Sequence, residues 1–121
     1  MKSWSIFNDK TTSQATMKIY VNNGITYRVG QRDTENWAII LAAERDFYWV
    51  HLDKQPSAHV IVETDVLLPE DLAYAAALCK EQTRVYKKGV PCVATTVSNL
   101  KLGSKPGEVT FKGGERKHFL H

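Results

Sequence analysis

The run Asp46-Phe47-Tyr48-Trp49-Val50-His51-Leu52-Asp53-Lys54-Gln55-Pro56-Ser57-Ala58-His59-Val60-Ile61-Val62 constrains this chain more than any other stretch. Three consecutive aromatics open it, a short Pro-Ser turn divides two strand-like runs, and two histidines stand eight residues apart. Its first arm, Phe47–Leu52, is apolar on both faces of an extended chain. Such a strand has to be covered on both sides, so a layer must lie against each face of the sheet that contains it. The second arm is predicted over His59–Thr64. A purely structural hairpin needs β-branched and aromatic residues but has no need of histidine on both arms, so fold and function are expected to meet here.

The rest of the chain supplies the other strands and the covering layers. Trp4 and Ile6 alternate with polar neighbours in a possible first strand. Met17, Ile19 and Val21 alternate with Lys18, Tyr20 and Asn22, and Ile25, Tyr27 and Val29 resume the pattern after Asn22-Asn23-Gly24. That is a hairpin signal, because Asn and Gly tolerate positive φ. Thr34 is a candidate N-cap for a short helix over Glu35–Glu44, with Trp37, Ile40 and Leu41 at helical spacing. Pro69, followed by Glu70 and Asp71, opens a longer helix with Leu72, Ala75, Ala76, Cys79 and Tyr86 as its apolar stripe and Gly89 at its end. Val90–Val97 and Glu108–Phe111 read as strands, Ser98–Gly107 as a basic loop, and Arg116–Leu120 as a last segment. The expected architecture is α+β: one domain over residues 1–121 with its core at about 17–111, a mostly antiparallel sheet, one long helix and one short one.

With 43% hydrophobic and 24% charged residues the composition is that of a globular chain, not a disordered one. No run approaches the roughly 18 apolar residues of a membrane span, and Met1-Lys2-Ser3-Trp4-Ser5 lacks a signal-peptide core, so no membrane insertion and a cytoplasmic location are expected. Cys79 and Cys92 fit that compartment as two buried thiols. The charge is uneven. From Leu78 onward nine basic residues face three acidic ones, a net +6, which leaves −3 for the first 77 residues of a chain whose total is +3. Such asymmetry points to a polyanionic partner.

Several chemistries are on offer. His51 and His59 form a candidate metal pair, with Asp53 or Glu63 in support, but zinc wants three or four ligands and no CxxC, HxH or HExxH pattern is present. The competing reading packs an imidazole in the sheet with its nitrogens satisfied. Ser57 beside His59 lacks a nucleophile elbow. Gly30-Gln31-Arg32 and Gly103-Ser104-Lys105-Pro106-Gly107 offer backbone amides and cations to phosphate, although neither has P-loop spacing. Lys80, Arg84, Lys87 and Lys88, at spacings of four, three and four, would form a basic stripe on the long helix. Separate basic elements beside candidate exposed aromatics, Trp37 and Tyr48, suit an RNA surface.

Taken in order, four pieces resemble the NFACT-R (NFACT RNA-binding) domain, which occurs in ribosome quality-control factors and in a group of small eukaryotic coiled-coil-domain proteins. They are Val29-Gly30 leading to Asn36, Phe47–His51 with Pro56–Ile61, the alanine-rich helix Leu72–Lys80, and Val97-Ser98-Asn99-Leu100-Lys101 running to Lys105-Pro106-Gly107-Glu108-Val109. The likeness extends from about Met17 to Phe111. Gln31-Arg32 stands where the family pattern has Arg-Asn, and Ala58 where many members have serine. The resemblance implies a non-enzymatic module that binds RNA, as tRNA or ribosomal RNA, in translation or ribosome-associated quality control, with the ribosome as a possible partner and no cofactor or metal. Arg32, Lys101, Lys105 and the Lys80, Arg84, Lys87, Lys88 face would contact phosphate. Trp49, His51 and His59 would line or shape the site, and Asn36 would orient the first loop. DNA is the nearest alternative ligand, since phosphate contacts do not separate the two polymers. A protein-interaction adaptor docking through a sheet edge is the alternative of another class, and a metal-dependent hydrolase built on the two histidines is a third.

Overall fold

The structure is a computed structural model, and it describes residues 18–121. The candidate strand around Trp4 and Ile6 lies outside them. Asn23 (φ 52°) and Gly24 (φ 77°) make the two-residue turn of a hairpin that pairs β1 (Lys18–Asn22) with β2 (Ile25–Gly30). Successive positive φ angles at both turn residues match the right-handed twist of the paired strands. Helix α1 (Asp33–Ala42) follows, and then the aromatic-histidine hairpin, β3 (Tyr48–Leu52) and β4 (His59–Val62). Helix α2 (Pro69–Thr83), β5 (Pro91–Thr96), a 3₁₀ turn (Val97–Asn99), β6 (Leu100–Leu102), β7 (Val109–Phe111) and β8 (Lys117–Leu120) complete the order.

Six strands form one antiparallel sheet in the order β1-β2-β4-β3-β5-β8, and β6 and β7 form a separate ribbon. The hairpin therefore lies at the centre, as its two-sided apolarity requires. One face of β3 and β4 sends Val50, Leu52, Val60 and Val62 toward α2, all fully buried. The other sends Trp49 and Ile61 into a second cluster with Ile39 and Ile40 of α1, Val93, and Leu100 of the ribbon. Ala75 and Ala76 of α2 are completely buried, and their small side chains let the helix approach until Cys79 Sγ lies 3.4 Å from the Val50 carbonyl. Both cysteines are free and buried, and burial pushes each thiol up from its ordinary value.

The long helix ends earlier than its charge pattern predicts. Val85 N–H reaches the Lys80 carbonyl at 2.9 Å and Arg84 N–H the Glu81 carbonyl at 3.2 Å, while Arg84 itself turns left-handed (φ 61°). This is a Schellman closure with arginine in the place that glycine usually fills. Only Lys80 of the expected basic stripe lies within the helix, and Arg84, Lys87 and Lys88 belong to the connector that follows. The helix over Glu35–Glu44 is also corrected, since α1 begins at Asp33, and Arg32, not Thr34, precedes its first turn in extended conformation. Leu100–Leu102, read as loop, is a strand. The last segment joins the main sheet through β8.

Candidate nucleic-acid interface

The register of β3 on β4 pairs Trp49 with Ile61 and Val50 with Val60, so His51 and His59 share the face of Trp49. Their rings meet edge to face at 4.6 Å between centroids. Trp49 Nε1–H donates to His59 Nδ1 at 3.1 Å, and the indole stacks on His51 at 5.2 Å with 9° between the planes. His59 is buried, and its pKa falls to about 3, through burial first and the neighbouring His51 second. Burial also holds His51 below its ordinary value, against smaller opposing effects of the Leu52 backbone and Asp53. Both imidazoles are neutral at pH 7, so neither is a cation for phosphate. Because Nδ1 of His59 accepts the indole proton, its own proton sits on Nε2, and that nitrogen is a donor. Across the same face, His51 pairs with Val93 and Val93 with His118, which places a third histidine in the row. His118 Nδ1 lies 3.4 Å from Asp53 Oδ2.

Gly30 brings α1 to this row. It is in register with His59, and a Cβ built on it would stand 2.4 Å from Asn36 Oδ1 and 3.0 Å from the Asn36 backbone nitrogen. The first turn of α1 therefore rests directly on the strand. Glu35 accepts the Gln31 N–H through Oε1 at 2.9 Å. Its Oε2 and the Oδ1 of Asn36 are buried with no hydrogen-bond partner among the described residues. Unsatisfied buried acceptors are costly, so two of them side by side mark a place that folding alone does not explain. Gly30→Ala is expected to push α1 off the sheet and cost about 1–3 kcal/mol, in the range of other overpacked contacts. Asn36→Ala in the same chain should restore only part of that loss, because it removes the contact with Oδ1 and leaves the backbone nitrogen and Cα at 3.0 and 3.1 Å. Urea unfolding of the two single variants and the double variant checks this, and strict additivity would contradict the contact.

The basic loop is fastened to the same turn of α1. Gly107 (φ 85°) faces Asp33 so closely that an added Cβ would lie 2.9 Å from its Oδ1. Trp37 Nε1–H donates to the Glu108 carbonyl at 2.9 Å. Glu108 Oε1 accepts from Ser104 N–H, Ser104 Oγ and Lys105 N–H, which lowers its pKa, the Ser104 amide contributing most. The loop is thus folded around a carboxylate, with the Lys105 side chain exposed to solvent.

Three segments far apart in sequence thus meet around the start of α1: Gly30–Asn36, the histidine pair, and Gly103–Glu108. Arg32, Asn36, His51, His59 and Lys105 belong to this cluster, as does Trp49, but as a buried member of the core that positions the histidines without reaching solvent. Lys101 projects from the outer side of the ribbon in the same layer, since Leu100 beside it is buried. Lys80 belongs to the opposite layer and donates to the His121 carbonyl at 2.6 Å. Trp37 and Tyr48 are half-buried instead of exposed. Among the described residues no group of three or more His, Cys, Asp or Glu could hold a metal ion. No helix among them is long and apolar enough to cross a membrane.

Trp37, expected as an exposed aromatic, has a different part here, and Arg116 and Asn99 contribute contacts that the sequence did not single out. Trp37 straps the basic loop to α1. Arg116 lies 4.5 Å over the ring of Phe111, which itself packs against Trp49. Asn99 clamps the Gly114 turn, accepting its N–H at 2.6 Å and donating to its carbonyl at 3.2 Å.

No protein-family profile matches the chain, and no curated protein matches it either. A solved structure that it resembles is the C-terminal part of the fibronectin/fibrinogen-binding protein from Streptococcus suis, with a TM-score of 0.72 at 24% identity. The match covers 92% of this chain and 47% of that one, so this chain spans about half the length of its neighbour. Likeness at that identity shows a shared fold.

Proposed function

We propose that this chain is a non-enzymatic RNA-binding module of the NFACT-R kind, directed at tRNA or ribosomal RNA in translation or ribosome-associated quality control. The observation that carries the reading is the meeting of the three segments at the start of α1. Three of the four pieces of the resemblance, the Gly30 to Asn36 stretch, the histidine hairpin and the Lys-Pro-Gly loop, meet around the first turn of α1. The fourth, the alanine-rich helix, packs on the other face of the sheet. Asp33 and Glu35 already occupy the first turn of α1, which disfavours a phosphate on the helix axis. Phosphate is served instead by the exposed Arg32 and Lys105, while the buried His59, Asn36 and Glu35 support the β2–α1 turn that carries Arg32.

Titration with tRNA, single-stranded RNA and duplex DNA at two salt concentrations tests the reading. Arg32→Ala/Lys105→Ala should bind RNA about tenfold less tightly at low salt and reduce the salt slope by about 1.5, the share of two phosphate contacts. Unchanged affinity and slope would remove the site from this end of the sheet. Equal preference for duplex DNA would favour the DNA-binding alternative. The adaptor reading has one observation of its own: Ile19 and Val21 on the edge strand β1 are 54% and 69% exposed. Absence of binding to all three polymers would move the function there.

A further inference from the structure

We infer that the connector after α2 is a second, stacking contact for the same ligand, with Tyr86 as the platform for an unpaired base of single-stranded RNA. This rests on the RNA reading above and extends it to a residue outside that site. Tyr86 was expected on the buried stripe of α2. The Schellman closure at Arg84 instead turns the chain outward and leaves Tyr86 77% exposed, more than any other large apolar residue among the described ones.

The ring is held on a fixed support. Val85 before it is half-buried against the core and its N–H is tied to Lys80. Val90 after it is buried and exchanges two backbone hydrogen bonds with His121, at 3.1 and 3.0 Å. The short segment between these anchors carries Tyr86, Lys87 and Lys88, all exposed, and borders a cavity of about 400 Å³ lined by Ala77, Lys80, Glu81, Val85, Tyr86 and His121. An aromatic face flanked by cations, with Glu81 as the lone acid of the lining, matches the chemistry of a base and its phosphates. The backbone anchors on either side keep the segment that carries the ring short, which lessens the cost of ordering it on binding.

The platform lies at the same end of the sheet as the first site. Ala58 N–H donates to Thr83 Oγ1 at 3.0 Å, and the Gln31 and Gln82 side chains are hydrogen-bonded to each other. The last turn of α2 therefore abuts both the β2–α1 junction and the start of β4.

The test uses an unstructured RNA of about twelve nucleotides, within the span that single-strand binding surfaces cover. Tyr86→Ala should weaken its binding roughly tenfold, whereas Tyr86→Phe and Tyr86→Trp retain it, because stacking needs the ring and not the hydroxyl. Binding of a duplex RNA of the same length should be unchanged, and a photoreactive uridine in the single strand should crosslink to Tyr86. If the wild-type chain binds the single strand and Tyr86→Ala binds it equally well, the platform is refuted while the first site stands. If the wild-type chain binds no RNA at low salt, both are refuted together.

Discussion

Replacing Trp49 by alanine is expected to destabilise the domain by about 3–5 kcal/mol, the cost of deleting a fully buried indole. The ring is 1% exposed and joins the two halves of the molecule. It stacks on His51, meets Phe111 of the ribbon at 5.7 Å, and sits opposite Ile61 in the central pair of strands. The substitution also strips His59 Nδ1 of its donor in a place water does not easily reach. Against a total of about 5–15 kcal/mol for a domain of this size, such a loss leaves little in reserve. Trp49→Phe separates the two contributions, since it keeps an aromatic ring and removes the N–H. It should cost about 1–3 kcal/mol, the range for an unsatisfied buried partner. Urea unfolding with an unchanged slope gives both values. A loss below about 1 kcal/mol for the alanine variant would contradict a packed indole at the centre of the second core.

This central role was legible in the sequence, and the reason is physical. Two apolar faces on one short strand admit few placements, and Phe47–Leu52 accordingly lies at the middle of the sheet. The hairpin around Asn23-Gly24 was equally plain, because positive φ has a strong residue preference. The end of α2 was hidden, since Arg84 adopts a left-handed conformation for which Gly89 was the better candidate, and spacing alone then extended the basic stripe by a turn. Strand β6 is three residues long, too short for alternation to declare itself. Of the site, the histidines and the Lys-Pro-Gly loop could be named in advance. That they share one end with Asn36 could not, because it depends on how closely Gly30 lets α1 approach, a distance set by packing across the sheet.

Acid should weaken the fold well before the carboxylates titrate, and His59 should be the principal cause. Its pKa in the folded state is about 3 against an ordinary 6.5, so between those values the unfolded chain binds a proton that the folded chain refuses. The unfolded state is then favoured increasingly as pH falls. Stability should be intact at pH 7 and decline below about 6.5 by up to about 1.4 kcal/mol per pH unit for this one group. His51, lowered for the same reason of burial, adds in the same direction. Glu108 acts in a different window, because its lowered pKa confines its loss to pH values below the ordinary 4.5. Stability measured between pH 6.5 and 5 therefore isolates the histidines. His59→Gln should flatten the profile in that interval, and an identical slope in variant and wild type would show that the imidazole is not held neutral. The same sign bears on function. Protonating His59 opposes folding, so RNA affinity should not rise as pH falls from 8 to 6, as it would if the imidazoles were phosphate-binding cations. A pH-independent affinity across that range would exclude the imidazoles as phosphate-binding cations and leave that part to lysine and arginine, with His59 as a buried, neutral support.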